Sequence, residues 1–187
     1  GRGDAPNALF ISGKCGMYTG SSGLRASILK NGNFNFGTTK LPYYPDVKGA
    51  PQNSVIGGAS LWVYSGKSDA VYKGVIKFFK FLSSPKQAAA WHQGTGYVPV
   101  TKAGYKLTKE SGFYEKNPGT EIAVQQLDAT TTKNSRGIRL GNMLQIRDIE
   151  NGTMEQIFAG KISPEAGLKK IVAGGNELLE RFQKGAH

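Results

Sequence analysis

The sequence predicts an α/β fold, and three observations carry that prediction. Apolar runs rich in Val, Ile, Tyr and Phe alternate with amphipathic stretches of helical spacing. A Gly-Ser-Ser-Gly turn, Gly20 to Gly23, joins one such run to a helix. Beyond Pro118 the pattern is mostly helical.

Each element has its own local cause. Asp4 to Phe10 reads as a short helix closed by Gly13, and Cys15 to Thr19 as a strand that enters the Gly-Ser-Ser-Gly turn. From Ser22, Leu24, Ile28 and Leu29 recur at helical spacing until Asn31-Gly32 ends the helix. Residues 33–36 begin a strand that dissolves into a Pro- and Gly-rich stretch, better suited to a crossover between two bodies than to a hairpin. Ser54 to Ser65 is the strongest strand candidate, interrupted by Gly57-Gly58, a pair that marks a bulge or a close backbone approach. Ser68-Asp69 then caps a helix whose Val71, Val75, Phe78, Phe79 and Leu82 share one face. Ser84-Pro85 starts another, expected to stop at Gly94, and Pro99 keeps residues 96–101 extended. Asn117-Pro118-Gly119 is a second joint. Helices follow at 121–128, 142–158 and 163–182, with an irregular loop between the first two.

At 187 residues, 39% hydrophobic and 20% charged, the chain has the composition of a globular protein with one ordinary domain or two small ones. The opening Gly1-Arg2-Gly3-Asp4 has neither a basic nor an apolar leader pattern, so a targeting signal is expected upstream or already removed. Arg2-Gly3-Asp4 matches an integrin-binding tripeptide, a motif short enough to recur by chance. A single cysteine, Cys15, excludes an internal disulfide, and its apolar context suits a buried, inert thiol. The net charge of +11 invites a nucleic-acid reading. It is scattered, however, with no block of adjacent Lys and Arg to track a phosphate backbone.

Few residues offer chemistry. The unpaired N–H groups of the helix that begins after Gly20 suit an anion, and Ser21 and Ser22 add hydroxyls; equally, one serine simply caps the helix. The Gly-Lys-Ser/Thr ending of a P-loop is absent. Ser27 and Lys30 fit a Ser-x-x-Lys acylation motif, but Ser-Asp-Asn and Lys-Thr-Gly do not follow. His92 has no second internal histidine and no carboxylate cluster, so neither a metal site nor a Ser-His-Asp relay assembles, and it reads as a surface or half-buried structural residue. Trp62, Trp91 and Tyr97 could stack on a polyol, although large aromatics serve cores more often. Phe34 and Phe36 read as strand core rather than as base-stacking platforms. Arg136, Arg139 and Arg147 form the one arginine cluster, suited to phosphate oxygens or to pairing with Asp148 and Glu150.

Five blocks then share one likeness: GKCGMYTGSSG, KGAPQNSVIGGASLWV, AAAWHQGTGYVPVT, GFYEKNPGTEIA and RLGNMLQIR. In order and spacing they resemble the C-terminal half of the periplasmic sn-glycerol-3-phosphate-binding proteins of ABC importers, within the extracellular solute-binding protein family. The resemblance implies a two-lobed flytrap fold with an incomplete N-terminal lobe. Residues 1–52 and 119–187 would belong to the C-terminal lobe and 53–118 to the N-terminal one. It further implies a periplasmic, non-enzymatic receptor without cofactor or metal. Such a receptor takes a phosphorylated polyol, sn-glycerol-3-phosphate or a glycerophosphodiester, into an interlobe cleft and presents it to the permease subunits. The partner supplying the rest of the N-terminal lobe would be absent sequence or a second chain, not nucleic acid. By matching motif, Ser21, Gly58, Tyr97 and Arg147 would touch the ligand, Gly58 through its backbone N–H and Arg147 through phosphate oxygens. Gly20 and Leu144 depart from the family pattern, which has Ala and Pro there. The other readings are a basic nucleic-acid-binding domain and an acyl-transfer enzyme built on Ser27 and Lys30.

Overall fold

The computed structural model describes residues 5–185; the Arg2-Gly3-Asp4 tripeptide lies outside them. Among the described residues the regular structure is helical: α1 (Ala5–Ile11), α2 (Arg25–Asn31), α3 (Asp69–Leu82), α4 (Pro85–Thr95), α5 (Lys102–Glu110), α6 (Phe113–Lys116), α7 (Ile122–Leu127), α8 (Met143–Phe158) and α9 (Pro164–Gly185). The chain forms two units, the first ending at Arg136 and the second starting at Gly137.

No strand forms among the described residues, so the α/β expectation is not met there. Residues 15–19, 33–36 and 54–65 run extended or bent without a sheet ladder. A strand needs a neighbour to satisfy its N–H and C=O groups, and no described segment forms a backbone ladder with these. The strongest candidate shows where pairing stops. Asn53 and Ser54 donate their backbone N–H groups to the carbonyls of Thr130 and Gln126. The Asn53 side chain is held by Ser135, whose hydroxyl donates to Asn53 Oδ1 at 2.6 Å. From Val55 onward that bonding ceases, and Val55, Ile56, Leu61, Trp62, Val63 and Tyr64 are all exposed.

Where a helix depends on its own cap and periodicity, sequence and structure agree. Ser68 and Ser84 occupy the N-cap positions of α3 and α4 in extended conformation, and Pro85 opens α4. The latter helix runs past Gly94 to Thr95 and ends at Gly96, whose φ of 82° is the left-handed geometry that suits glycine at a helix end. Helices α5 and α6 add to the expected set. Thr101 caps α5 by accepting from the Gly104 N–H at 3.0 Å, and the face that α5 buries consists of Gly104 and Thr108. A Cβ at Gly104 would stand 2.7 Å from Ala88 Cβ, so hydrogen at that position lets α4 and α5 approach closely.

In the second unit α8 lies on α9. Small residues on α9 receive branched side chains from α8: a Cβ at Gly167 would meet Ile157 Cδ1 at 2.4 Å, and one at Gly174 would meet Ile149 Cδ1 at 2.9 Å. Asn142, at φ 51°, precedes α8 and donates its side-chain N–H to the Leu178 carbonyl at 2.8 Å. This fixes the start of α8 to α9.

Candidate functional site

The Gly-Ser-Ser-Gly turn folds as a capped entry to α2. Ser21 is extended and its Oγ accepts the Gly23 N–H at 3.2 Å; Ser22–Leu24 form one 3-10 turn, and α2 continues from Arg25. The capping reading of the turn therefore holds for Ser21, which remains exposed.

Two glycines lock this turn to the segment after α4. A Cβ at Gly23 would stand 2.7 Å from Tyr97 Cζ, so the Tyr97 ring rests directly on Gly23. A Cβ at Gly96 would stand 2.5 Å from the Ser22 carbonyl oxygen. Ser21 and Tyr97, two residues singled out by the family resemblance, are thus brought to one place from positions far apart in sequence. Tyr97 remains 44% exposed there. Gly20 finds its explanation in the same turn, since the Tyr18 ring fills the space of a Cβ, 2.5 Å away.

His92 overturns its sequence-based reading. It is 1% exposed, neither at the surface nor half-buried. Its Nδ1 lies 2.6 Å from the Tyr97 carbonyl oxygen and its Nε2 lies 3.0 Å from the Tyr114 hydroxyl. Burial pushes the His92 pKa down, opposed by its bond to the Tyr97 carbonyl. Behind it, the Tyr105 hydroxyl donates to Glu121 at 2.5 Å. That bond, with burial, raises the Tyr105 pKa; Tyr114 is raised strongly, first by burial and then by Tyr105 and Glu121.

Gly58 does not take part in this contact, and Arg147 belongs to the second unit. Gly58 lies in the exposed stretch after Val55 at φ 134°, and no atom approaches within 4 Å of where its Cβ would be. Arg147 is exposed on α8 in the second unit. Neither it nor Arg136 nor Arg139 forms an ion pair with Asp148 or Glu150 among the described residues. Leu144 is the second residue of α8. Its N–H has no intrahelical acceptor there, so neither Leu nor the family's Pro loses a helix hydrogen bond at this position. Trp62 and Trp91, expected in the core, are 89% and 64% exposed. Cys15 is half-buried and free.

One feature has no counterpart among the expected site residues. Arg25, Lys30, Gln93, Asn117 and Thr120 line, with His92, a cavity of ≈ 340 Å³. The Arg25 Nε is buried there without a hydrogen-bond partner, its guanidinium carbon 6.0 Å from the Phe36 ring centre, and burial lowers its pKa. The sequence signal for it was only its adjacency to the Gly-Ser-Ser-Gly turn.

Residues 1–122 match the family model described as bacterial extracellular solute-binding protein. The chain belongs to that family. Within it, the chain is 50% identical over 185 residues to the sn-glycerol-3-phosphate-binding periplasmic protein UgpB of Pectobacterium atrosepticum, covering 98% of this chain and 42% of that protein. The UgpB proteins of Escherichia coli and Salmonella typhimurium are 50% and 49% identical over the same coverage. This solute-binding chain thus spans well under half the length of those relatives. It also superposes on UgpB from Mycobacterium tuberculosis, solved in complex with glycerophosphocholine, with a TM-score of 0.77 and 25% identity. That match covers 93% of this chain and 42% of that one.

Proposed function

We propose that this chain forms part of the periplasmic solute receptor of an ABC importer, and that its ligand is sn-glycerol-3-phosphate or a glycerophosphodiester such as glycerophosphocholine. Identity of 50% along 98% of the chain to a sn-glycerol-3-phosphate-binding periplasmic protein is the observation that carries the reading. The joining of Ser21 to Tyr97 across Gly23 supports it. Ser21 offers a hydroxyl and Tyr97 an aromatic face and a phenol, groups suited to a short polyol. By family likeness, the Gly58 N–H and the Arg147 guanidinium act on the same ligand, Arg147 on phosphate oxygens, where a planar fork meets two oxygens at once. The receptor binds and delivers to permease subunits without chemical conversion. Closure on ligand follows from the extra contacts that a closed form makes.

In this reading residues 1–52 and 119–187 belong to one lobe and 53–118 to the other, whose remaining sheet comes from sequence outside this chain. The exposed apolar stretch from Val55 to Tyr64 supports it, since a strand apolar on both faces is made for the interior of a parallel sheet. A chimera provides the test: this chain replaces the matching 42% of the Pectobacterium protein, and titration calorimetry measures sn-glycerol-3-phosphate. Binding by the chimera, lost in Arg147→Ala and Tyr97→Ala, is expected, with weak or no binding by the chain alone. A folded chimera that binds neither sn-glycerol-3-phosphate nor, titrated in the same way, glycerophosphocholine overturns the reading.

A further inference from the structure

We propose that His92 is a positioning residue for Tyr97, acting as a neutral imidazole of one tautomer whose Nδ1–H holds the Tyr97 carbonyl and, with it, the Gly96–Tyr97 segment at the Ser22–Gly23 turn. The importance of Tyr97 to a ligand rests on the function proposed above; the positioning itself does not.

The tautomer follows from the partners. A backbone carbonyl only accepts, so the His92 nitrogen 2.6 Å from the Tyr97 oxygen, Nδ1, carries the proton. In a neutral ring Nε2 is then bare, and the Tyr114 hydroxyl 3.0 Å away donates to it. Both ring nitrogens are thereby satisfied at a site 1% exposed. An imidazolium would place a second proton at Nε2, facing the Tyr114 hydroxyl. Tyr114 would have to turn its own proton elsewhere, and it has no other hydrogen bond among the described residues. The surroundings also oppose the charged form. From α2, Arg25 and Lys30 line the same cavity as His92. From α6 come Phe113 and Tyr114, at ring distances of 6.1 and 5.6 Å. From α5, Tyr105 lies against Tyr114, and the Glu121 carboxylate is engaged by the Tyr105 hydroxyl and by Lys109 at 3.9 Å, with Asp128 also acting on Tyr105.

What the bond holds is specific. The Tyr97 N–H donates to Thr95 Oγ1 at 3.2 Å and its carbonyl accepts from His92, so both backbone polar groups of Tyr97 are bound. With that backbone held, its ring rests on Gly23. Removing the carbonyl bond leaves a single tether and loosens the ring from Gly23.

The test uses the chain labelled with ¹⁵N-histidine and with 3-fluorotyrosine, the Tyr97 resonance being assigned by Tyr97→Phe. The sequence has two histidines, so the His92 signal is readily separated from that of His187. Expected are an Nδ1–H tautomer at neutral pH and a Tyr97 fluorine shift set by the His92 bond. In His92→Asn, whose amide N–H stands near the Nδ1 position, the Tyr97 signal should keep its wild-type value. In His92→Phe, which cannot donate to the Tyr97 carbonyl, it should move away from that value. An Nε2–H tautomer, a Tyr97 signal displaced in folded His92→Asn, or an unchanged signal in folded His92→Phe overturns the proposal. If His92→Phe fails to fold, the wild-type chain and His92→Asn decide the matter. Adding sn-glycerol-3-phosphate to the corresponding chimera is a separate arm: indifference of Tyr97 to the ligand counts against the transport reading and leaves the positioning role intact.

Discussion

Within the first unit, residues 84–121 and residues 54–82 are opposites. The former closes on itself: Ala88, Ala89, His92, Thr108 and Tyr114 are buried, and nearly every polar group at its centre has a named partner. The latter is richer in large apolar side chains yet buries none of them. Trp62 and Tyr64 are 89% and 83% exposed, and no residue of α3 is buried. The difference teaches that hydrophobic content does not decide what a segment buries; available partners do. A helix completes its own backbone bonding and needs one apolar neighbour, whereas a two-faced strand needs two flanking strands and cover on both faces.

The sharpest way to break the closed region is to remove its polar centre. His92→Ala leaves the Tyr97 carbonyl and the Tyr114 hydroxyl without their partners and opens a void. With each unpaired group costing on the order of 1–3 kcal/mol, the total loss should reach about 4 kcal/mol in urea unfolding. Gly104→Val comes next. Its Cβ would meet Ala88 Cβ at 2.7 Å, and neither partner has a flexible end that could yield. Overpacking of this kind costs about 2–3 kcal/mol, and a loss below about 0.5 kcal/mol would mean that α4 and α5 are not in this contact.

A smaller effect should follow pH. His92 has a folded-state pKa below its ordinary value, so the unfolded chain takes up the proton first as pH falls. Its contribution to stability is complete above about pH 6.5 and declines as acid is added below that. Comparing urea midpoints at pH 7.5 and 5.5 in the wild-type chain and in His92→Asn isolates it: the acid loss should be smaller in the variant.

This contrast also explains what could be read from the sequence. Helices α3, α4 and α9 were legible because Ser68, Ser84-Pro85 and Ser163-Pro164 announce their starts. Helix α5 was not, because its buried side is Gly104 and Thr108, neither of which registers as an apolar position. The role of His92 was hidden for a related reason, since a polar residue enters a core only where partners from other elements meet it. Those partners, Tyr114 and the Tyr97 carbonyl, are set by tertiary structure alone. The strand pattern of residues 54–65 was clear, but a strand is realised by neighbours that this stretch of sequence does not contain. The pairing of Ser21 with Tyr97 was accessible only through family likeness, because nothing in their separate surroundings links them.

The smallest effect sharpens the comparison most. Ile56→Ser and Trp62→Ser alter side chains that are already in water, so each should change the stability of this chain by no more than about 0.5 kcal/mol. In the chimera with the remainder of the Pectobacterium protein, the same substitutions should become costly. A side chain of this size gains roughly 1.5–3 kcal/mol on burial, and serine forfeits that gain. Amide exchange should change in parallel, fast for residues 55–64 in the chain alone and slow in the chimera. If both substitutions remain silent in a folded, ligand-binding chimera, the segment has found no sheet, and its two apolar faces need an occupant other than the remainder of the Pectobacterium protein.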